Sequence, residues 1–529
     1  ASWLPLDRYS ASKNTIQIGY GRFQRILDGS TTFESSYEGV RLSLSKLRSR
    51  DFLADLGFPV TRQITVAHPE EAKRAAEQLG YPVVLKTDYG AHGNGVFCGL
   101  VNGTEVLHAF EELKRLVAKR RLQGSILVEK FVHGNDYRIT VVKGNLHNAF
   151  RRIPASVVGD GEHSISELVK IENMNPLRGD KSSEKSAYAY LQLGAHELNT
   201  LATHGLTAES VPATGKQIYL RLNANWSSGG TVEGCEFIHP DNIALIERVA
   251  EALHIDILGV DVITPDLGKS FLDGELTILE VNHSPGISGY FDKQGDYIDT
   301  ATRAVELLNP SREQEYVPLV VVQDNSNSGA ATSGIGVALE VAGCCPGVVN
   351  KAGMWVKSSP WAAPESLDYR DPAFTVLRNR QIDAAVIERT IEKILDYGIG
   401  SGGCDISVVL DASPASIVTD LWPNGIGAAE GTKLLMRSAR KACVALVDNA
   451  LIDALAADIP APKLCVLSLK GWTDSIEKHV ANGAAALALE NISGTYLTVR
   501  FSTQEAKTAT DSINIPARLG DTSESGLLT

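Results

Sequence analysis

The sequence predicts a multidomain chain of mixed α/β and α+β class, on the strength of three observations. Its 529 residues exceed the size at which one hydrophobic core stops growing, so roughly two or three domains are expected. Short apolar runs alternate with stretches of helical periodicity along most of the length. The polar stretch Asn309-Pro310-Ser311-Arg312-Glu313-Gln314-Glu315 contains a breaker and separates two such alternating regions. The expected division is a first domain over 1–308, a linker over 309–317, a second domain over 318–504, and a polar, Ser/Thr-rich end over 505–529 that reads as loose.

The strand-like runs include Pro82-Val83-Val84-Leu85-Lys86, Ser125-Ile126-Leu127-Val128-Glu129 and Ile139-Thr140-Val141-Val142. Helices are expected from Pro69 to Leu79 and from Val106 to Val117, where apolar residues return every three or four positions. Hydrophobic residues make up 43% and charged residues 21%, the balance of an ordinary globular protein. The formal net charge of −13 argues against a nucleic-acid backbone or an anionic membrane as the main partner. Seven cysteines (Cys98, Cys235, Cys344, Cys345, Cys404, Cys443, Cys465) are scattered without a C-x-x-C pair and read as buried thiols of a reducing compartment. The first residues carry no signal pattern, and no apolar run approaches the roughly 18 residues of a membrane span, so a cytoplasmic enzyme is expected.

Three stretches carry candidate chemistry. After the apolar run Leu276-Thr277-Ile278-Leu279 comes Glu280-Val281-Asn282-His283-Ser284-Pro285-Gly286. Alternate residues of a strand share a face, so Glu280 and Asn282 project together as hard oxygen donors, and Asp261 after Leu258-Gly259-Val260 offers a third. Such a set suits Mg²⁺, which takes few protein ligands and keeps phosphates and waters. A solvated strand end with a turn reads equally well. Lys86 closes a strand before Tyr89-Gly90-Ala91-His92-Gly93-Asn94-Gly95-Val96, where Gly90, Gly93 and Gly95 permit the close backbone approach of a phosphate-covering loop. A glycine-rich hairpin without a ligand has the same composition. In Val128-Glu129-Lys130-Phe131-Val132-His133-Gly134-Asn135-Asp136-Tyr137-Arg138, the turn between two strands can offer Glu129 to an adenine edge and Asp136 to ribose hydroxyls. Two surface acids flanking a turn is the plainer reading.

Taken in order, the lysine, glycine loop, acidic hinge and Asp…Glu-x-Asn set resembles the ATP-grasp superfamily. The resemblance implies that Lys46 and Lys86 hold phosphates, Glu129 the adenine and Asp136 the ribose of ATP. It likewise implies that Asp261, Glu280 and Asn282 bind Mg²⁺, and that a lid is inserted at about 155–215. The stretch from about Ile18 to Leu308 is similar to the cyanophycin synthetases in particular. That similarity rests on Gly19-Tyr20-Gly21-Arg22-Phe23-Gln24, Asp88 to Val96, Gly134 to Arg138, Arg152-Ile153-Pro154, Val157-Val158-Gly159-Asp160-Gly161, Ser228-Gly229-Gly230-Thr231 and Ile238-His239-Pro240-Asp241-Asn242. By this likeness His92 and Arg221 lie at the reacting centre, Arg152 belongs to the surrounding basic wall, and Ser228 and Gly229 contact substrate. The implied partners are an amino acid or dipeptide and a growing polymer, handled by a homo-oligomer.

In cyanophycin synthetases of the first type, the second half is Mur-ligase-like and carries a P-loop lysine and threonine. Here the matching place, after Val320-Val321-Val322, reads Asp324-Asn325-Ser326-Asn327-Ser328-Gly329-Ala330, with Ser328 where the lysine belongs. Ala384-Ala385-Val386-Ile387-Glu388 and Cys404-Asp405-Ile406-Ser407-Val408-Val409-Leu410 keep the core strands. The family's N-terminal domain finds no counterpart before the match, nor its C-terminal ligase lobe after Ile513-Asn514-Ile515-Pro516-Ala517. The combination resembles the second type of cyanophycin synthetase, which polymerises β-aspartyl-arginine dipeptides. Another ATP-grasp amide ligase, or a non-catalytic scaffold homologue, are the competing expectations.

Overall fold

A computed structural model of the chain describes residues 6–8, 14–88, 95–120, 125–180, 188–221, 224, 229–287, 290–291, 297–308, 317–326, 328–362, 371–399, 402–411, 428–493, 496–502 and 511–516. It divides into two compact units, the first over Leu27–Pro310 and the second over Ile16–Ile26 with Ser311–Thr529. This corrects the expected 1–308 boundary at its beginning. Tyr20 is buried in the core of the second unit beside Val317 and Ile382, the Arg22 amide donates to the Ile382 carbonyl at 2.8 Å, and Gln24 Nε2 donates to the Arg378 carbonyl at 2.8 Å.

The first unit opens with helices α1 (Tyr37–Ser43) and α2 (Lys46–Asp55). A four-stranded antiparallel sheet follows, in the order β1 (Gln63–Val66), β4 (Ile126–Lys130), β2 (Val83–Thr87), β3 (Val96–Leu100). Helices α3 (Pro69–Leu79) and α4 (Gly103–Arg120) cover one of its faces. Proline at the first position and Glu70 and Glu71 in the first turn suit the start of α3, where amide N–H groups lack partners. Its Ala72, Ala75, Ala76 and Leu79 form the buried stripe, and Gly80 at φ 77° ends it. The sheet sends Val66, Val83, Leu85 and Val128 into that same core, so its other face is left for Lys86 and Glu129.

Next comes a five-stranded antiparallel sheet built from β5 (Asn135–Val142), β6 (Asn145–Ile153), β7 (Thr231–Gly234), β8 (Ile257–Thr264) and β9 (Thr277–Asn282), in the order β7-β6-β5-β8-β9. Tyr137, Ile139, Val141, Val260, Val262 and Val281 alternate onto one face and pack on α7 (Pro240–Leu253). The alternation turns Asp136, Arg138 and Asp261 onto the other face, and an irregularity in the pairing of β8 with β9 beside Asp261 lets Glu280 and Asn282 join them although Ile278 and Val281 both enter the core. Between β6 and β7 a small module with its own core holds α5 (Ile165–Glu172), α6 (Ala195–Thr203) and the paired strands Ser156–Val158 and Gln217–Tyr219.

The second unit is a long sheet whose centre is parallel. The strands Pro346–Asn350, Ala384–Arg389, Leu319–Gln323, Cys404–Val409, Ala439–Leu446, Leu464–Ser468 and Ala485–Ser493 lie side by side in that order, and antiparallel strands extend both edges. Leu319–Gln323 and Ala384–Arg389 are buried at every residue, as continuous apolar strands of a parallel sheet must be. The loose end expected over 505–529 is corrected in part. Asp511–Pro516 is a strand paired antiparallel with Tyr496–Ser502, and the period-two pattern of Ile513-Asn514-Ile515 suits that edge position. All seven cysteines are free thiols. Only Cys404 and Cys443 are buried, and the other five are half-buried, which corrects the expectation of uniformly buried thiols. Among the described residues no helix is long and apolar enough to cross a membrane.

Gly39 lets α1 approach the end of α7 closely, since a Cβ there would stand 1.9 Å from the Leu253 carbonyl. Gly39→Ala should lower the unfolding free energy of the first unit by about 2 kcal/mol, the range of core overpacking. Chemical denaturation followed by circular dichroism checks this.

Candidate active site

The polar face of the five-stranded sheet is organised by register. Arg138, Asp261 and Glu280 stand directly opposite one another on β5, β8 and β9. The row on one side pairs Asp136 with Arg152, and the row on the other places Thr140, Gly259 and Asn282 in line. At the centre lies Asp261, only 2% exposed. Arg138 grips it with two parallel hydrogen bonds, Nη2 to Oδ2 at 3.0 Å and Nε to Oδ1. Arg152 Nη2 reaches Asp261 Oδ2 at 3.1 Å and Asp136 Oδ1 at 2.7 Å. Gly259 leaves room for this arrangement, because a Cβ there would stand 3.2 Å from Arg138 Nη1.

A carboxylate this deep would be pushed up by burial, but Arg138 and Arg152 more than offset it and hold Asp261 well below the usual range. Asp136 goes the other way. Burial raises it, Arg152 opposes, and the charge of Asp261 adds to the rise. Glu280, at the solvent side of the row, touches Lys46 Nζ through Oε2 at 3.5 Å and Asn282 Nδ2 through Oε1 at 3.4 Å.

Lys46 is delivered by the start of α2. Asp88, buried at the end of β2, accepts from Ser45 Oγ and from the Leu47 amide, each at 2.9 Å. The α2 N-terminus is thereby pinned to the four-stranded sheet while its lysine reaches the five-stranded one. On the open face of the four-stranded sheet, Lys86 Nζ and Glu129 Oε2 make a buried ion pair at 2.7 Å. The Cys98 thiol on β3 is pushed up to about 11, chiefly by burial. Lys86 opposes that rise, and Glu129 and Asp136 add to it.

Residues 36–146 match the model of an ATP-grasp domain. A cyanophycin synthetase of Crocosphaera subtropica is 27% identical over 525 residues, covering 98% of this chain and 58% of that protein. A second, from Geminocystis herdmanii, is 30% identical over 408 residues, covering 76% of this chain and 46% of its own. The chain is similar to cyanophycin synthetases over most of its length. It spans about half the length of these relatives. About half of the chain is also similar to a glutathione biosynthesis bifunctional protein of Mannheimia succiniciproducens, 31% identical over 279 residues, or 51% of this chain and 36% of that one. A solved bifunctional glutathione synthetase from Pasteurella multocida superposes with a TM-score of 0.43 at 26% identity, covering 58% of this chain and 41% of that one.

The structure thus brings Lys46, Asp136, Arg152, Asp261, Glu280 and Asn282 together, with Lys86 and Glu129 on the neighbouring sheet. Arg221 follows a strand of the inserted module, and its Nε donates to Glu197 Oε1, a carboxylate whose side chain is 4% exposed. Gly95 and Gly229 both have left-handed backbone, φ 77° and 90°, and a Cβ at Gly229 would stand 2.7 Å from Leu191 Cδ2. Gly90, His92, Gly93 and Ser228 lie outside the described residues. Among the described residues no group of three or more His, Cys, Asp or Glu side chains is placed to hold a metal ion. Both Asp261 oxygens accept from guanidinium groups, which leaves Glu280 and Asn282 as the hard oxygen donors on the open side. Sequence reasoning assigned no role to Arg138, Asp88, Glu197 or Arg178, whose Nη1 donates to the Gly229 carbonyl at 3.0 Å. Only Arg138 had a signal, its period-two spacing from Asp136.

Because Asp261 is held below its unfolded value, its contribution to stability is present above about pH 4 and is lost as pH falls further. Wild type should therefore lose more unfolding free energy between pH 5 and pH 2 than Asp261→Asn, measured by urea denaturation. At pH 7, Asp261→Ala should cost about 3 kcal/mol, because two arginines lose their buried counter-charge.

Proposed function

We propose that the chain is an ATP-dependent carboxylate–amine ligase that forms amide bonds through an acyl-phosphate, releases ADP, and polymerises β-aspartyl-arginine dipeptides into cyanophycin. The observation that carries this reading is the Lys46–Glu280–Asn282 edge of the Arg138–Asp261–Glu280 row. It joins two hard oxygen donors to a cation, and the buried Lys86–Glu129 pair of the four-stranded sheet supports the reading. Similarity to cyanophycin synthetases over nearly the whole chain supports the choice of substrate.

In this reading Glu129 and the turn after it meet the adenine, Asp136 the ribose, and Lys46 and Lys86 the phosphates. By the resemblance, Gly90, Gly93 and Gly95 meet the phosphates and His92 acts at the reacting centre. Glu280, Asn282 and Asp261 would hold Mg²⁺, which would supply neutralisation of the phosphate charge. A carboxylate oxygen of the acceptor attacks the γ-phosphorus, the bond to the β-phosphate oxygen breaks, and ADP leaves. The α-amine of the incoming unit then attacks the acyl carbon, loses a proton, and displaces inorganic phosphate. Arg221, steadied by Glu197, neutralises the charge that grows on the transferring group, while Arg152, Ser228 and Gly229 orient the substrate. Catalysis is positioning and charge stabilisation.

The second unit has a structural or assembly role in this reading, as the Mur-like half of the homologues without its phosphate site. In place of a phosphate-cradling lysine, Asp324 accepts from the Ser326 amide at 2.9 Å and from Ser328 Oγ at 3.1 Å, so the turn satisfies its own donors with a negative charge. The kept strands and the homology favour a cytoplasmic homo-oligomer.

The test is ADP release with product mass spectrometry, comparing β-aspartyl-arginine with free aspartate plus arginine. The dipeptide alone should support turnover. Glu280→Ala should reduce it at least a thousandfold, and Ser328→Ala should leave it within about twofold. Turnover on the free amino acids only, or equal damage from both variants, contradicts the proposal.

A further inference from the structure

Gln63 carries an amide for which the described residues supply no partner. It stands on β1 directly opposite Glu129 of β4, and Glu129 in turn stands opposite Val84 of β2. Residues opposite one another in a sheet share a face, so Gln63 lies on the face of Glu129 and Lys86. Its neighbours Ile64 and Val66 serve the core on the other side. The residue is half-buried, yet both Oε1 and Nε2 are shielded from solvent and neither makes a hydrogen bond. Glu129 does not satisfy it, being bonded through Oε2 to Lys86. A primary amide removed from water with no partner is costly. Such a group in a ligand-free fold is explained where a ligand completes it.

A carboxamide presents one donor and one acceptor side by side. That pair complements the 6-amino group and adjacent ring nitrogen of adenine, and mismatches the 6-oxo group of guanine. The Glu129 carboxylate beside it is an acceptor only, which again favours an amino group over a carbonyl oxygen. We propose that Gln63 is a base-selecting residue whose buried amide, paired in register with Glu129, reads the 6-amino edge of the nucleotide. The assignment rests on the ATP site described above and adds to it the residue that distinguishes ATP from GTP.

The experiment uses the full chain and titrates Mg·ATP, Mg·GTP and Mg·purine riboside triphosphate, which lacks the 6-amino group, by calorimetry. Wild type should bind ATP at least tenfold more tightly than either analogue. Gln63→Leu should weaken ATP about tenfold, change purine riboside triphosphate less, and shrink the ATP-to-GTP preference. The unliganded variant should melt no lower than wild type, because the amide has no bond to lose, and that result separates base reading from a purely structural role. Gln63→Met, unbranched and of similar length, carries the same expectations if Gln63→Leu folds poorly. Affinities and preference within about twofold of wild type in a folded variant overturn the assignment of Gln63 and leave the ATP site standing. Failure of wild type to bind Mg·ATP overturns both.

Discussion

The clamp of Arg138 and Arg152 on Asp261 is the interaction on which the first unit's polar face depends. A carboxylate 2% exposed is tolerated only with opposite charge and good hydrogen-bond geometry on every side. Meeting that demand fixes the relative register of β5, β6 and β8, three strands drawn from distant parts of the sequence. Once that register is set, the apolar residues between these charges have one face to occupy, and the core under α7 follows. The same register carries Glu280 and Asn282 to the edge of the row, where their oxygens stay accessible.

The second constraint is the way α2 is hung between the two sheets. Asp88 satisfies donors at its first turn, and Lys46 leans across to Glu280. The cation is thus held in place before any ligand arrives, the kind of preorganisation that makes charge stabilisation effective. The second unit uses the opposite device. Its turn after Leu319–Gln323 folds around Asp324, which satisfies the turn's own donors and leaves a negative charge where an anion would have to sit.

Local features of this fold were legible from sequence because they depend on near neighbours. Alanine and leucine spacing marked α3 from Pro69 to Leu79, and the alternation of Glu280 with Asn282 around Val281 placed two oxygens on one face. The ATP-grasp assignment drew on the same local motifs. What pairing across distance decides was not legible. Nothing near Asp261 announces that Arg138, 123 positions earlier, will grip it, and nothing near Tyr20 announces that it joins the core of the second unit. Asp511–Pro516 looked like a loose polar end because an edge strand needs only a partner and a period of two, and both are weak signals in a short Ser/Thr-rich stretch. Gln63 was invisible for a different reason, since an unmet hydrogen bond exists only after burial is known.

The central claim is that each chain has one nucleotide site, built on the Arg138–Asp261–Glu280 row and the Lys86–Glu129 pair, with none in the second unit. Isothermal calorimetry of Mg·ATP tests it most directly. The account predicts a single class of site, one nucleotide per chain, abolished by Glu280→Ala and untouched by Ser328→Ala. Two unlike sites per chain, or binding that survives Glu280→Ala at full strength, would contradict it.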